Sequence, residues 1–406
     1  MNYANLTILA LFVFCYSVVS RRAARTPISG ALVFTFVGFF LGGYALGLLD
    51  LAIDSDGLRI LAASALALIL FTDAAEADLS VLKKVIALPV RLLLLVLPCK
   101  IFMGYLCALL LFEELGHFES LVLACVLAPT DAALGKPVVT NPAVPPYIRE
   151  SLNFESGLND GLCVPILFVL LALATGAAAP ESTPELALEL TLGELGTGLA
   201  VGLGFTGVLS LALRHASTRG WIEESWLQLP VVTMALGAFG AAQWLDGSGF
   251  IAAFAGGVLF GWLALAEKGE LLTSAEATGD VVTLLTWVVF GAAVLGKLLG
   301  QLTWQIALYA VLSLTLVRVL PVFVCLLGTG TGWREKLFIG WFGPRGLASI
   351  VFGVIVFNQG LPSGDTIVAA VACTVLFSVV AHGISANAMV AWLARAHRES
   401  KRGAKR

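Results

Sequence analysis

The stretch "NFESGLNDG", residues 153–161, decides how this chain is read. A proline-rich turn, "NPAVPPYIRE" (141–150), comes before it, and "LCVPILFVLLALA" (162–174) follows. Glu155, Ser156, Asn159 and Asp160 therefore lie in a segment that otherwise has the length and apolarity of a membrane helix, which needs about 20 mostly apolar residues. A carboxylate at a helix centre costs about 2.5–3.5 kcal/mol of insertion, and each Leu, Ile, Val or Phe returns about 0.3–0.6. Two acids thus cost about 5–7 kcal/mol, close to what the strong apolar residues of the span return. The helix needs polar partners inside a bundle, or protons on its acids. Ser156 and Asp160 are four apart and share one edge of the helix; Glu155 and Asn159 form the neighbouring edge. The two acids can then do different jobs.

The same texture runs through the whole chain. Of 406 residues, 59% are hydrophobic and 13% charged, against about 25% charged in soluble proteins. The mean hydropathy is +0.94. Most of the length belongs in lipid. Apolar runs at 5–20, 30–49, 57–72, 84–112, 119–141, 146–175, 186–213, 225–245, 248–266, 279–299, 303–328, 335–358 and 364–394 predict an all-α polytopic membrane protein of about thirteen spans. The last run is long, and His382-Gly383 marks a place for a re-entrant turn. An odd count puts the termini on opposite sides. With the N-terminus outside and the C-terminus cytoplasmic, inside segments collect Arg21, Arg22, Arg25, Lys83, Lys84, Arg149, Arg214, Arg219, Lys268, Arg334, Lys336 and the basic tail. The outside loops keep only Arg59 and Lys297, as the positive-inside rule requires. Almost no chain is left for a soluble domain, which disfavours receptors and anchored enzymes and favours a transporter or channel. A net charge of −3 gives no sign of nucleic acid. The seven cysteines are scattered singly and form no metal pattern.

Two spans are interrupted in mid-membrane. The fifth carries "LAPTDAALGKPVVTNP", with Pro129, Thr130, Asp131 and Gly135; the twelfth carries "GWFGPRGLASIVF", with Gly343, Pro344, Arg345 and Gly346. Proline removes a backbone donor and clashes with the preceding turn. Irregular backbone at this depth is tolerated where it lines a cavity or is buried in protein. Broken helices at corresponding places in two inverted halves point to a transporter's ion site. Spans 1–6 and 8–13 form two inverted six-helix repeats with helices 5 and 12 broken, and an offset of seven spans brings the breaks head to head. Glu155 is the expected anion for a buried arginine, Arg318 or Arg345. Arg345 also balances a half-helix C-terminus. Lys100 is expected to snorkel along its stem. Asp73, in "LFTDAAEADL", is a loop-end acid that approaches the site in one reading. Gly-rich runs such as "GTGLAVGLGFTG" are helix-packing faces.

"PTDAA" in a broken fifth span, "ESGLND" in the sixth, a mid-membrane arginine in the eleventh and "GPRGLAS" in the twelfth together resemble the monovalent cation/proton antiporters. The branch is the electroneutral one of NhaP-type antiporters and Na+/H+ exchangers. The resemblance covers the whole chain. It implies a secondary active antiporter, not an enzyme, which exchanges Na+, with Li+ or K+ as alternatives, for H+ by alternating access. No cofactor is implied beyond the transported ions. Asp160 would be the carboxylate shared by cation and proton, with Ser156 and Thr130 as further cation ligands. Asp131 would act directly or through water, and Asn159 would mark 1:1 exchange. Glu155 would pair with an arginine. The implied protein is a homodimer in the cell (inner) membrane, one transmembrane transporter domain over 1–406. Its moving core would be 84–175 and 303–394, its dimerisation scaffold 1–72 and 225–299, and its linker helix 186–213. An intramembrane aspartyl protease would carry YD and GxGD signatures, which this sequence lacks. A cation channel would be told apart by single-channel current.

Overall fold

The computed structural model describes residues 3–23, 29–49, 56–76, 87–178, 184–263 and 268–403. Among them the chain is helical, apart from its connections and one isolated bridge between Gly42 and Leu49. Seven helices there are long and apolar enough to cross a membrane; four shorter apolar helices, of 10–17 residues, accompany them. Most helices overlap the expected apolar runs, but Lys268–Val289 begins well before the run expected at 279–299. The short first and third runs lengthen to Tyr3–Ala23 and Asp56–Glu76. The last run is one helix, Gly364–Gly403, with no turn at His382-Gly383. A single glycine costs a helix only about 1 kcal/mol, and His382 is hydrogen-bonded within the helix.

Both expected breaks are present. The first separates the half-helices His117–Val126 and Ala132–Val139; the second separates Trp333–Trp341 and Leu347–Asn358. Each broken helix begins the same way. Gly116 N donates to Glu119 Oε2 at 3.1 Å, and Gly332 N donates to Glu335 Oε2 at 2.9 Å. A glutamate at the third helical position thus reaches back to satisfy an N-terminal donor. The shared G-x-x-E start gives the two broken helices a common entry. Three further irregularities accompany them, the first in the long fourth run, whose length allows a kink. A π-turn at Leu92–Val96 precedes Pro98, which lacks the N–H that a regular turn would use. A second π-turn lies at Phe290–Leu295. The helix around Arg318 is divided at Thr315, between Trp304–Leu314 and Leu316–Cys325.

The chain forms two compact units. The first comprises Met1–Leu58, Val85–Asn159 and Leu284–Arg406; the second comprises Arg59–Lys84 and Asp160–Thr283. The first holds both broken helices. Its apolar core joins Leu92 and Val96, Ile148 and Leu152, Val322, Phe338 and Phe342, and Val390 and Leu393, so five helical segments close on one another. In the second unit Phe71, Met234, Ala253, Phe260 and Leu272 form the core. Gly198 and Gly202, from the Gly-rich run, lie directly against the backbone of Ser248 and Ala252. That run is a packing face.

Candidate functional site

The two breaks meet. Asp131 N donates to Pro344 O at 2.8 Å, which ties the unwound segments together. The Asp131 carboxylate then serves two helix starts. Its Oδ1 accepts from Leu134 N at 3.1 Å, in its own second half-helix, and its Oδ2 accepts from Leu347 N at 2.9 Å, the first residue of the other. A helix N-terminus presents unpaired N–H groups and about half a positive charge. One carboxylate answers both. Arg345 does the converse. Its Nη1 lies 3.2 Å from Pro129 O and 3.3 Å from Ala128 O and from Gly343 O, the carbonyls just past the ends of the two first halves. Ser349 Oγ donates to Val126 O at 2.8 Å, satisfying one more last-turn carbonyl. Two glycines of "GPRG" permit this closeness. A Cβ on Gly346 would overlap the Asp131 carboxylate, and one on Gly343 would overlap the Arg318 guanidinium.

Asp131→Asn is expected to lose one of these two caps and the charge that both starts share. The cost is about 1–2 kcal/mol, read as a lower melting temperature of the purified protein in detergent. An unchanged melt would count against the double cap.

The long helix Pro146–Ala178 brings the quoted stretch to this crossing. Asn159 holds Thr130 with both ends of its amide: Nδ2 donates to Thr130 Oγ1 at 2.7 Å, and Oδ1 accepts from Thr130 N at 3.3 Å. Thr130 Oγ1 is also 3.0 Å from Ser156 Oγ. All three residues are buried. Asn159 therefore groups with Ser156 and not with Glu155. Residues three apart are helix neighbours as surely as residues four apart. Asp160 follows on the same helix, its side chain 6% exposed, at the start of the second unit. Asp73, half-buried near the end of Asp56–Glu76, also belongs to the second unit.

Glu155 takes a different partner. Arg318 meets its carboxylate with both terminal nitrogens, Nη1 on Oε1 and Nη2 on Oε2, the latter at 2.7 Å. Such forked pairing is the strongest geometry available to a charged hydrogen bond. Lys100 Nζ stands 3.6 Å from Oε1. All three side chains are 1% exposed. Lys100 does not snorkel; it turns inward because Glu155 supplies the counter-charge that the bilayer cannot. Sequence reasoning missed this, although an acid one helix away was the available signal.

Two broken helices that meet at their breaks are the pattern of secondary-transporter folds. The chain belongs to the sodium/hydrogen exchanger transmembrane family, whose model matches residues 8–392. That family is one of transporters, not enzymes. Among relatives, a Na+/H+ antiporter of Schizosaccharomyces pombe is 25% identical over 311 residues, 70% of this chain and 66% of that protein. A K+/H+ antiporter, NhaP, of Alkalimonas amylolytica is 24% identical over 401 residues, 97% of this chain and 68% of that one. The match to a second S. pombe relative, a probable Na+/H+ antiporter, spans only 34% of its length. The fold resembles the solved sodium proton antiporter MjNhaP1 of Methanocaldococcus jannaschii, with a TM-score of 0.77 at 21% identity, over 93% of this chain and 98% of that one.

Proposed function

We propose that this chain is an electroneutral antiporter that exchanges one monovalent cation, Na+ first, with Li+ and K+ as alternatives, for one H+. The observation that carries the reading is the hold of buried Asn159 on Thr130, with the buried acid Asp160 as the next residue in the chain. Asn159 spends its amide on Thr130, so Asp160 is the acid of that pair that can trade a cation for a proton. A hard cation asks for oxygen ligands, and the Asp160 carboxylate with the hydroxyls of Ser156 and Thr130 offers them. Asp131, at the crossing of the two breaks, acts directly or through water in this reading. A carboxylate of this kind is neutralised either by a cation or by a proton. If the protein changes its access only when the group is occupied, exchange follows with no separate coupling device. Glu155, Arg318 and Arg345 serve structure in this scheme. A core of 84–175 and 303–394 moves against a scaffold of 1–72 and 225–299 in a homodimer of the cell membrane, with the C-terminus cytoplasmic. The names of the relatives, which include both Na+/H+ and K+/H+ antiporters, agree with the class and leave the cation to experiment.

The test is the purified protein in proteoliposomes under an imposed pH gradient, with the membrane potential clamped and Na+, Li+ and K+ added in turn. Proton movement that follows one cation and carries no net current is expected. Current through single open events would make the protein a channel, and net charge movement per cycle would overturn the 1:1 ratio.

A further inference from the structure

The ion scheme leaves a buried histidine unused. His382, 2% exposed, lies in the middle of the helix Gly364–Gly403 and faces the second break. Its Nε2 is 2.8 Å from Trp341 O, the last carbonyl of the half-helix Trp333–Trp341. Its Nδ1 has two partners in its own preceding turn, Ser378 O at 2.9 Å and Ser378 Oγ at 3.2 Å. Ser378 Oγ in turn accepts from Arg345 N at 2.6 Å. The rings of Trp341 and Phe342 flank the imidazole, at centroid distances of 5.3 and 6.2 Å. The terminal helix therefore fastens the break at both ends, at Trp341 and at Arg345, through one histidine and one serine.

Hydrogen-bond accounting gives this fastening two states. A carbonyl oxygen only accepts, so Nε2 must carry a proton toward Trp341 O. If the ring is neutral, Nδ1 is an acceptor, and the fitting donor is the Ser378 hydroxyl. The chain then runs from Arg345 N–H to Ser378 Oγ–H to His382 Nδ1. If the ring takes a second proton, Nδ1 becomes a donor and Ser378 O, already at 2.9 Å, is its acceptor. The Ser378 hydroxyl then loses its acceptor on the ring, and no heavy atom needs to travel for the exchange. We infer that His382 is a proton-sensitive positioning residue, which fixes the second break through Ser378 and Arg345 when neutral and loosens it when charged. Histidine is the side chain whose ordinary titration falls between about pH 5 and 8. The charged groups bearing on it are Arg345 from the break and Arg318 from Leu316–Cys325. Because Arg345 also holds the carbonyls of Ala128 and Pro129, the state of His382 reaches the first break as well.

This inference rests on the exchange reading, and one experiment separates their fates. Full-length wild type and His382→Gln are compared in proteoliposomes for cation-dependent proton movement from about pH 6 to about pH 8. Glutamine keeps a neutral donor in reach of Trp341 O and does not titrate. The variant-to-wild-type rate ratio is expected to be near one at the alkaline end. It should rise to about fivefold at the acidic end, the factor corresponding to one net hydrogen bond. A ratio independent of pH, with an active wild type, overturns the inference and spares the exchange reading. A wild type inactive with every cation overturns the exchange reading. Should His382→Gln fail to fold, the exchange rate of the imidazole C2 hydrogen of His382 in the wild type, followed by mass spectrometry across the same range, decides. A titration step supports the switch, and a flat profile overturns it.

Discussion

Asp160→Asn is expected to bring cation-dependent proton movement in everted vesicles down to the level of empty membranes, while folded yield stays near that of the wild type. Asparagine keeps the shape and an acceptor oxygen, and it removes a charge that is costly to bury. Nothing in folding should suffer. What is lost is the ability to exist in two charge states. An amide neither releases a proton to make room for a cation nor takes one when the cation leaves, so the cycle has no second substrate. Measured by fluorescence of a pH-sensitive dye on adding each cation, full exchange in this variant would sink the assignment of the shared site to Asp160. Reduced yield with no loss of specific rate would place Asp160 in the architecture.

Glu155→Ala should do the opposite, and its effect falls on folding. The variant leaves Arg318 and Lys100, each 1% exposed, without the carboxylate that both face. Breaking a buried pair by removing one partner costs about 3–5 kcal/mol, because the remaining charge has no solvent to return to. Here two charges are stranded. Size-exclusion profiles of detergent extracts should show most of the protein lost or aggregated. A compensating change, Glu155→Leu with Arg318→Met, should recover part of the yield, since an apolar replacement of similar volume often matches a buried pair. A well-expressed Glu155→Ala with altered apparent cation affinity would instead make Glu155 a ligand.

The breaks were legible in the sequence because Pro129 and Pro344, with glycines beside the second, leave marks that no regular helix tolerates. The division of labour along 153–161 was only half legible. Spacing placed Glu155 apart from Ser156 and Asp160, but it put Asn159 on the wrong edge, because three-residue and four-residue neighbours compete for the same face. Arg318 and Arg345 were both candidates for Glu155, since sequence gives depth and not direction. The structure puts Arg318 on the carboxylate and Arg345 on backbone carbonyls. The π-turn at Phe290–Leu295 follows no proline, and nothing local announces it. His382 beside Gly383 suggested a turn when taken as a dipeptide. Its actual partners, Trp341 and Ser378, include one that lies 41 residues away and so beyond any local pattern.

The hold of Asn159 on Thr130 gives the site a polarity. The amide always donates to Thr130 Oγ1, so one lone pair of that oxygen is permanently taken. Between Thr130 and Ser156 only one hydroxyl can point its hydrogen at the other. When Thr130 donates, it keeps a lone pair turned outward. When Ser156 donates, Thr130 is saturated, and Ser156 is the one that offers electrons. The pair is a two-position switch in which each hydroxyl turns its own hydrogen. It can pass the better ligand from one side chain to the other without shifting an atom heavier than hydrogen, faster than any helix can move.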